Sequence, residues 1–423
     1  MVNKLVLLFG IILFITAQNL CAAERLQVGD VVAIELTSKS KPALETLSAE
    51  GNSIVSTWEI SKEGASYVSV HFRHFLLADE ERIVVKNGAG EEQYALTGQG
   101  KEGSRGTFWA QHVKGDTMFL ELWVPYGADM TSSRFVIYEE AFGFPLGTER
   151  ELLEDDEPQW GHFRKLACGA NDRLHAKCFE TSHPEYYENS KAVARLLIQG
   201  SWMCTGWLAS SDDHLITNKH CITSGDDALN TDYEFDAEAP DCGYSQGQFQ
   251  TPGVVFAGGE MLKYDTELDY AIVKVNGNPS AQYPYFEFDP TAQISDGQEF
   301  SQAIQDTPIY IPQHSLGYDK ELGLVSTHPD DIALGDAVCH VLAFDWAACT
   351  AFGGYLEVGY YCDTEPGSSG SPVVSSLTHQ VISLNHCGCN NCNCHNIGVP
   401  INEIYAEICE DSCTCGIWGC CAD

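Results

Sequence analysis

Thr364-Glu365-Pro366-Gly367-Ser368-Ser369-Gly370-Ser371-Pro372 is the stretch that decides how this chain is read. Glycines and small residues surround Ser369, the composition of a tight turn that exposes a hydroxyl and lets successive backbone N–H groups converge. A hydroxyl that attacks a carbonyl needs those donors, a base beside it, and a third group to orient the base. On this geometry Ser369 is the candidate nucleophile, and the amides of Gly367 and Ser369 are the candidate oxyanion hole. A Gly-Ser-Ser-Gly run alone is equally compatible with a flexible loop, so the reading rests on what accompanies it.

Upstream, Cys204-Thr205-Gly206-Trp207-Leu208 is followed by Leu215-Ile216-Thr217-Asn218-Lys219-His220-Cys221. Both runs read as short strands, so a Cys204–Cys221 bridge between neighbours would clamp the loop that carries His220. Next comes Glu267-Leu268-Asp269-Tyr270-Ala271-Ile272-Val273, with a carboxylate at the mouth of a buried apolar strand. An aspartate there is costly unless it has a partner, and the His220 ring nitrogen that faces away from Ser369 is that partner. His220, Asp269 and Ser369 thus supply base, orienting acid and nucleophile.

These motifs, in this order, resemble the chymotrypsin-like serine protease superfamily. Within it they are most similar to bacterial lysyl endopeptidases and their glutamyl-endopeptidase relatives, through Thr364 to Pro372, Cys204-Thr205-Gly206, Val381 to His386 and Gly398-Val399. The resemblance covers residues 168 to 408. It implies a chymotrypsin-like double β-barrel of six strands each, with the active site in the cleft between them. It implies peptide-bond hydrolysis through a Ser369 acyl-enzyme, with protein or peptide substrates and no cofactor. It further implies that Cys178 pairs with Cys242, that Cys168 pairs with a cysteine beyond Cys387, and that His386 flanks the substrate cleft. A buried histidine that caps a strand is the other reading of His386.

Substrate choice follows from the same comparison. Asp363, followed by Thr364, stands where trypsins carry the acid of the pocket floor, so cleavage after Lys or Arg is expected. The lysyl endopeptidases take that acid from a later segment, which here is Cys394-His395-Asn396 and contains none, and in glutamyl endopeptidases an Asp-Thr at the place of Asp363-Thr364 can be structural. Ser368 replaces the aspartate that pairs with a new amino terminus in animal trypsins. Activation by that route is not expected, and restraint by another domain would have to cover the cleft. A secreted adhesion or decoy protein with a non-catalytic protease fold is the alternative, although no triad residue is missing.

The rest of the chain sets the context. Lys4, the apolar run Leu5 to Ile15 and Cys21-Ala22-Ala23 read as a secretory signal peptide over residues 1–23. The run is shorter than the roughly 20 residues that span a bilayer, so a secreted protein without a membrane anchor is expected. Seventeen of the eighteen cysteines lie at or beyond Cys168, which fits an oxidising compartment. Sixty acidic against twenty-three basic residues give a net charge of −37, which argues strongly against nucleic acid as a partner.

Residues 24–146 alternate apolar and polar through Tyr67 to Arg73, Arg82 to Val85 and Thr117 to Val124, with turns at Asn87-Gly88 and Lys114-Gly115-Asp116. A cysteine-free β-sandwich follows, as an accessory or pro-domain with inhibition of the protease among its candidate roles. Glu149 to Pro158 is a charge run ending in proline, the core of a linker over residues 147–167. The protease domain then occupies residues 168–408, ending in a helix from Ile401 to Cys409. A Cys-rich tail follows over residues 409–423, where close cysteine pairs invite zinc but export favours disulfides.

Overall fold

The computed structural model describes residues 25–129, 132–147, 171–245, 247–289, 304–346, 356–388 and 395–410. The expected signal peptide, nearly all of the linker, Cys168 and most of the tail lie outside those residues. The fold is all-β apart from short helices and the terminal helix Ile401–Glu410.

The first unit is a sandwich of two five-stranded antiparallel sheets. One runs Leu44–Leu47, Ser53–Ser61, Thr117–Pro125, Arg82–Asn87, Glu92–Leu96 in spatial order. The other runs Gly29–Thr37, Val136–Gly143, Tyr67–Arg73, Phe108–Trp109, with Val113–Lys114 also on Tyr67–Arg73. Thr117–Pro125 alternates half-buried and buried at every step, sending Met118, Leu120, Leu122 and Val124 into a core with Trp58, Ile83 and Val85. That is the period of two a one-sided strand requires.

Tyr67–Arg73 departs from the alternation, being buried from Tyr67 to Phe72. Val68, Val70 and Phe72 fill the sandwich core, while Tyr67 packs with Leu197, Met203 and Phe249 of the following unit. Both faces of this strand are therefore covered, one by its own sandwich and one by the following unit.

That second unit contains two eight-stranded antiparallel sheets. The first runs Val254–Ala257, Thr231–Phe235, Val193–Ile198, Trp202–Leu208, His214–Thr217, Tyr270–Val275, Gly259–Asp265, and takes an eighth strand, Leu26–Gln27, beside Trp202–Met203. The second runs Leu174–His175, Glu321–Gly323, Ile309–Gln313, Pro372–Ser375, Val381–Cys387, Asn396–Pro400, Leu356–Tyr360, Val341–Trp346. The family resemblance implied six strands per barrel. Leu26–Gln27, from the N-terminal unit, is one of the additional strands in the first sheet. Each sheet has its own apolar core. A third cluster, with Trp207, Ile216, Tyr270, Tyr310, Val374, Leu384 and Ile404, joins the two sheets and the terminal helix.

The contact between sandwich and first sheet is charged and largely buried. His112 Nδ1 lies 2.8 Å from Asp232, whose carboxylate also accepts the His112 backbone N–H at 2.8 Å. Lys114 Nζ lies 3.1 Å from Glu234, and Arg195 binds the same carboxylate at 2.8 Å. Burial by itself raises the Glu234 carboxyl, but Arg195, then Lys114 and His112, outweigh it and hold it well below the usual range. Burial, with Arg195 adding to it, pushes the Lys114 ammonium down to about 7. Breaking one buried pair leaves its partner desolvated, so His112→Ala is expected to cost about 3 kcal/mol. Lys62→Ala, which removes a pair with Asp30 whose side chains are 47% and 53% exposed, is expected to cost under about 1 kcal/mol. Urea denaturation of the full chain checks both; equal costs would contradict this interface.

Candidate active site

The strand His214–Thr217 delivers His220 into a loop tied down from several sides. The Cys204–Cys221 disulfide forms as expected, and Asn218 Nδ2 and the Lys219 N–H both donate to the Asp269 carbonyl, at 2.9 and 3.1 Å. Asp269 precedes the buried strand Tyr270–Val275 with φ of +45°, a left-handed conformation that aspartate tolerates better than most residues. Its Oδ2 lies 2.7 Å from His220 Nδ1, and its Oδ1 accepts the His220 backbone N–H at 2.9 Å. The carboxylate therefore fixes both the ring and the backbone of His220.

Burial alone would raise the Asp269 carboxyl. His220 and then His386 pull it the other way, and it ends well below the ordinary carboxylate value. With Nδ1 engaged, His220 Nε2 is the ring nitrogen left over; it is buried and makes no hydrogen bond among the described residues. No hydrogen bond joins it to Ser369, which is half-buried. Such contacts in unliganded sites commonly close only when substrate binds.

Thr205 shapes the turn that carries Ser369. Its N–H donates to the Ser369 carbonyl at 2.9 Å and its hydroxyl to the Gly367 carbonyl at 2.9 Å. With the carbonyls drawn to one side, the Gly367 and Ser369 amides are left without partners among the described residues. Gly367 has φ of +97°, and a Cβ there would lie 2.7 Å from Met203 Sδ. Gly370, at φ of +87°, is packed harder still, with a Cβ falling 2.2 Å from the Thr205 carbonyl oxygen. Glycine is required at both positions.

His386, for which the resemblance implied a place beside the cleft and the other reading a buried site, is buried. It is 1% exposed, lying behind Asp269 with Nδ1 3.4 Å from Asp269 Oδ2 and Nε2 2.9 Å from Glu357 Oε1. The cause is electrostatic. Two carboxylates, Glu357 fully buried and Asp269 nearly so, flank the ring and favour its cationic form. Burial lowers this imidazole, yet Asp269 and Glu357 together push it up to about 9. Glu357 was not anticipated, although it is the lone acid in Leu356-Glu357-Val358-Gly359-Tyr360.

Asp363 is 4% exposed, and its carboxylate accepts the Asp172 N–H at 2.7 Å. Its carbonyl accepts from Gln313 Nε2 at 3.0 Å, and Gln313 Oε1 accepts from the Ser368 hydroxyl at 2.5 Å. Asp363 and the buried Thr364 thus stand one linking side chain from the nucleophile turn. Nearby, the sequence reading missed a buried guanidinium: Arg173 lies 3.2 Å from Glu321 and 2.8 Å from Glu365.

Cys178 pairs with Cys242, as the resemblance implied. Cys339–Cys362 was not foreseen, and Cys387 and Cys409 are also disulfide-bonded. Cys204, His220 and Cys221 gather three atoms of metal-ligand type within 4.8 Å. Both sulfurs are spent in the disulfide, which leaves no thiolate to bind a metal.

A family model described as a trypsin-like peptidase domain matches residues 204–384, a span that includes His220, Asp269 and Ser369. The chain is similar to secreted RxLR effector protein 73 of Plasmopara viticola, with 31% identity over 340 residues that make up 78% of this chain and 76% of that protein. Among solved structures it is similar to the Rv3671c protease in its inactive form, at 13% identity and a TM-score of 0.38, covering 58% of this chain and 98% of that one. It is also similar to the HtrA-type protease AlgW with tripeptide, at 15% identity and a TM-score of 0.35, covering 54% and 62%.

The charged ring of His386 carries a pH signature. Its folded value near 9 lies above the ordinary 6.5, so its contribution to stability is full below about 6.5 and is lost as pH rises through about 9. Glu357→Gln weakens the grip on that proton. Chemical denaturation is expected to find wild type most favoured over the variant at pH 6 and the gap much reduced at pH 10. A gap that does not change with pH would mean that His386 is not held as a cation.

Proposed function

The chain belongs to the same family as the Plasmopara effector and contains a trypsin-like peptidase domain; from that premise we propose that it is a secreted serine endopeptidase. The observation that carries this reading is the double grip of Asp269 on His220, which leaves Nε2 as the one ring nitrogen able to serve a nucleophile. In the proposed cycle Ser369 Oγ attacks the scissile carbonyl carbon while His220 Nε2 takes its proton. The carbonyl electrons move to an oxygen held by the free amides of Gly367 and Ser369, each such donor being worth on the order of 3 kcal/mol of barrier. The amine leaves with the proton from His220, and water then releases the acyl group by the reverse sequence of proton transfers. No step requires a cofactor.

The proposed organisation is a signal peptide over residues 1–23, a sandwich over 24–146, a linker over 147–167, the protease domain over 168–408 and a Cys-rich tail. Secretion is supported by the relative's description as secreted, by the disulfides, and by the absence, among described residues, of a helix long and apolar enough to cross a membrane. Cleavage after Lys or Arg is the proposed specificity. It is supported by the position of Asp363, whose carbonyl is joined through Gln313 to Ser368 in the nucleophile turn.

A second reading, an effector that binds through a protease fold without cutting, draws on the relative's name and on the missing His220–Ser369 hydrogen bond. Digestion of a diverse peptide library by the full secreted chain, beside its Ser369→Ala variant, separates the two. The endopeptidase reading expects cuts after Lys and Arg, lost by about 10^4-fold or more in the variant. It also expects Asp363→Asn to weaken those cuts by at least about tenfold while the triad stays competent. Cuts after other residues would overturn the pocket assignment alone, and absence of cutting by wild type would favour the binding reading.

A further inference from the structure

His220 has two backbone hydrogen-bonding groups, and side chains from distant segments hold both. Asp269 takes the N–H. The carbonyl accepts from Arg25 Nε at 3.0 Å, and no other donor reaches it among the described residues.

Arg25 is not part of the protease unit. It immediately precedes Leu26–Gln27, the strand that enters the first sheet beside Trp202–Met203. Its Nη2 lies 2.5 Å from Asp227 Oδ2 and 3.2 Å from Thr223 Oγ1. Asp227 in turn accepts the Thr223 N–H at 2.9 Å and its hydroxyl at 2.6 Å. One guanidinium therefore ties the His220 carbonyl to the short helix Gly225–Leu229, fastening both ends of the segment that follows the histidine. The side chains of Arg25 and Asp227 are only 17% and 9% exposed, so solvent screening is weak compared with a surface pair.

The backbone that presents Arg25 is itself fixed. The Val28 N–H donates to the Ser201 carbonyl at 2.8 Å, and the Val28 carbonyl accepts from the Phe144 N–H at 2.9 Å. Leu26 and Val28 are buried with Leu197 and Met203. Met203, the ladder partner of Leu26, is also the side chain against which Gly367 packs. The added strand thus touches both halves of the candidate site, the histidine loop through Arg25 and the oxyanion turn through Met203.

We propose that Arg25, presented by a strand that the sandwich backs, is a built-in positioning residue for His220, so that loosening it from the protease unit lowers activity instead of releasing it. This rests on the endopeptidase reading. Arg25 touches no reacting atom and acts through the placement of His220, where small misplacements are costly.

The test uses the full chain with Arg25→Ala, Arg25→Lys and, as a control on the same strand, Gln27→Ala. For peptide cleavage, Arg25→Ala is expected to lower kcat about tenfold with KM changed less than about twofold. Arg25→Lys should fall between it and wild type, and Gln27→Ala should match wild type. Amide exchange of residues 219–223 is read in a Ser369→Ala background, where it needs no catalysis, and should speed up with Arg25→Ala. Unchanged kcat and unchanged exchange would overturn the proposal, and a raised kcat would make the segment a restraint. If wild type cuts nothing, the exchange result still decides whether Arg25 holds the loop, so failure of the protease reading is separable from failure of this one.

Discussion

The structure around the site depends on one buried carboxylate. Asp269 stands at the start of an apolar strand, where burial works against its ionised form. It stays charged because the ring and backbone of His220 donate to it on one side and the imidazole of His386 lies 3.4 Å from it on the other. His386 can be cationic there only because Glu357 balances it from behind. Charges alternate along Asp269, His386 and Glu357, and each would be costly without its neighbour.

Around that row the backbone is held by constraints that belong to different parts of the chain. Thr205, beside the Cys204–Cys221 bridge on the first sheet, reaches across to the carbonyls of the Ser369 turn and so sets the direction of its amides. The sandwich contributes through Leu26–Gln27 and through the buried charges that meet Asp232 and Glu234. A domain boundary in the sequence is therefore not an energetic boundary here. The first sheet is completed by the preceding domain, and Tyr67–Arg73 is a two-sided strand for that reason.

Much of this was legible in the sequence where a local constraint is strong. The glycines around Ser369 announce a turn that only glycine can make, and the cysteines beside His220 announce a clamp. The alternation in Thr117–Pro125 announces a sheet with one buried face. What escaped depends on contacts that no local period encodes. Glu357 and His386 lie on strands that are not even neighbours in their sheet, so their pairing follows from topology. Arg25 meets His220 across 195 residues of chain. Asp363 was placed near the nucleophile by its spacing, but its carboxylate also caps the Asp172 amide, a bond that counting residues cannot reveal.

The most direct test of the central claim is chemical. The full chain is treated with a fluorophosphonate, which reacts with a serine hydroxyl only when a base and an oxyanion hole activate it, and the adduct is located by peptide mapping. A triad held by the Asp269–His220 pair predicts an adduct on Ser369 alone. No adduct, or one spread over Ser368 and Ser371 as well, would contradict it.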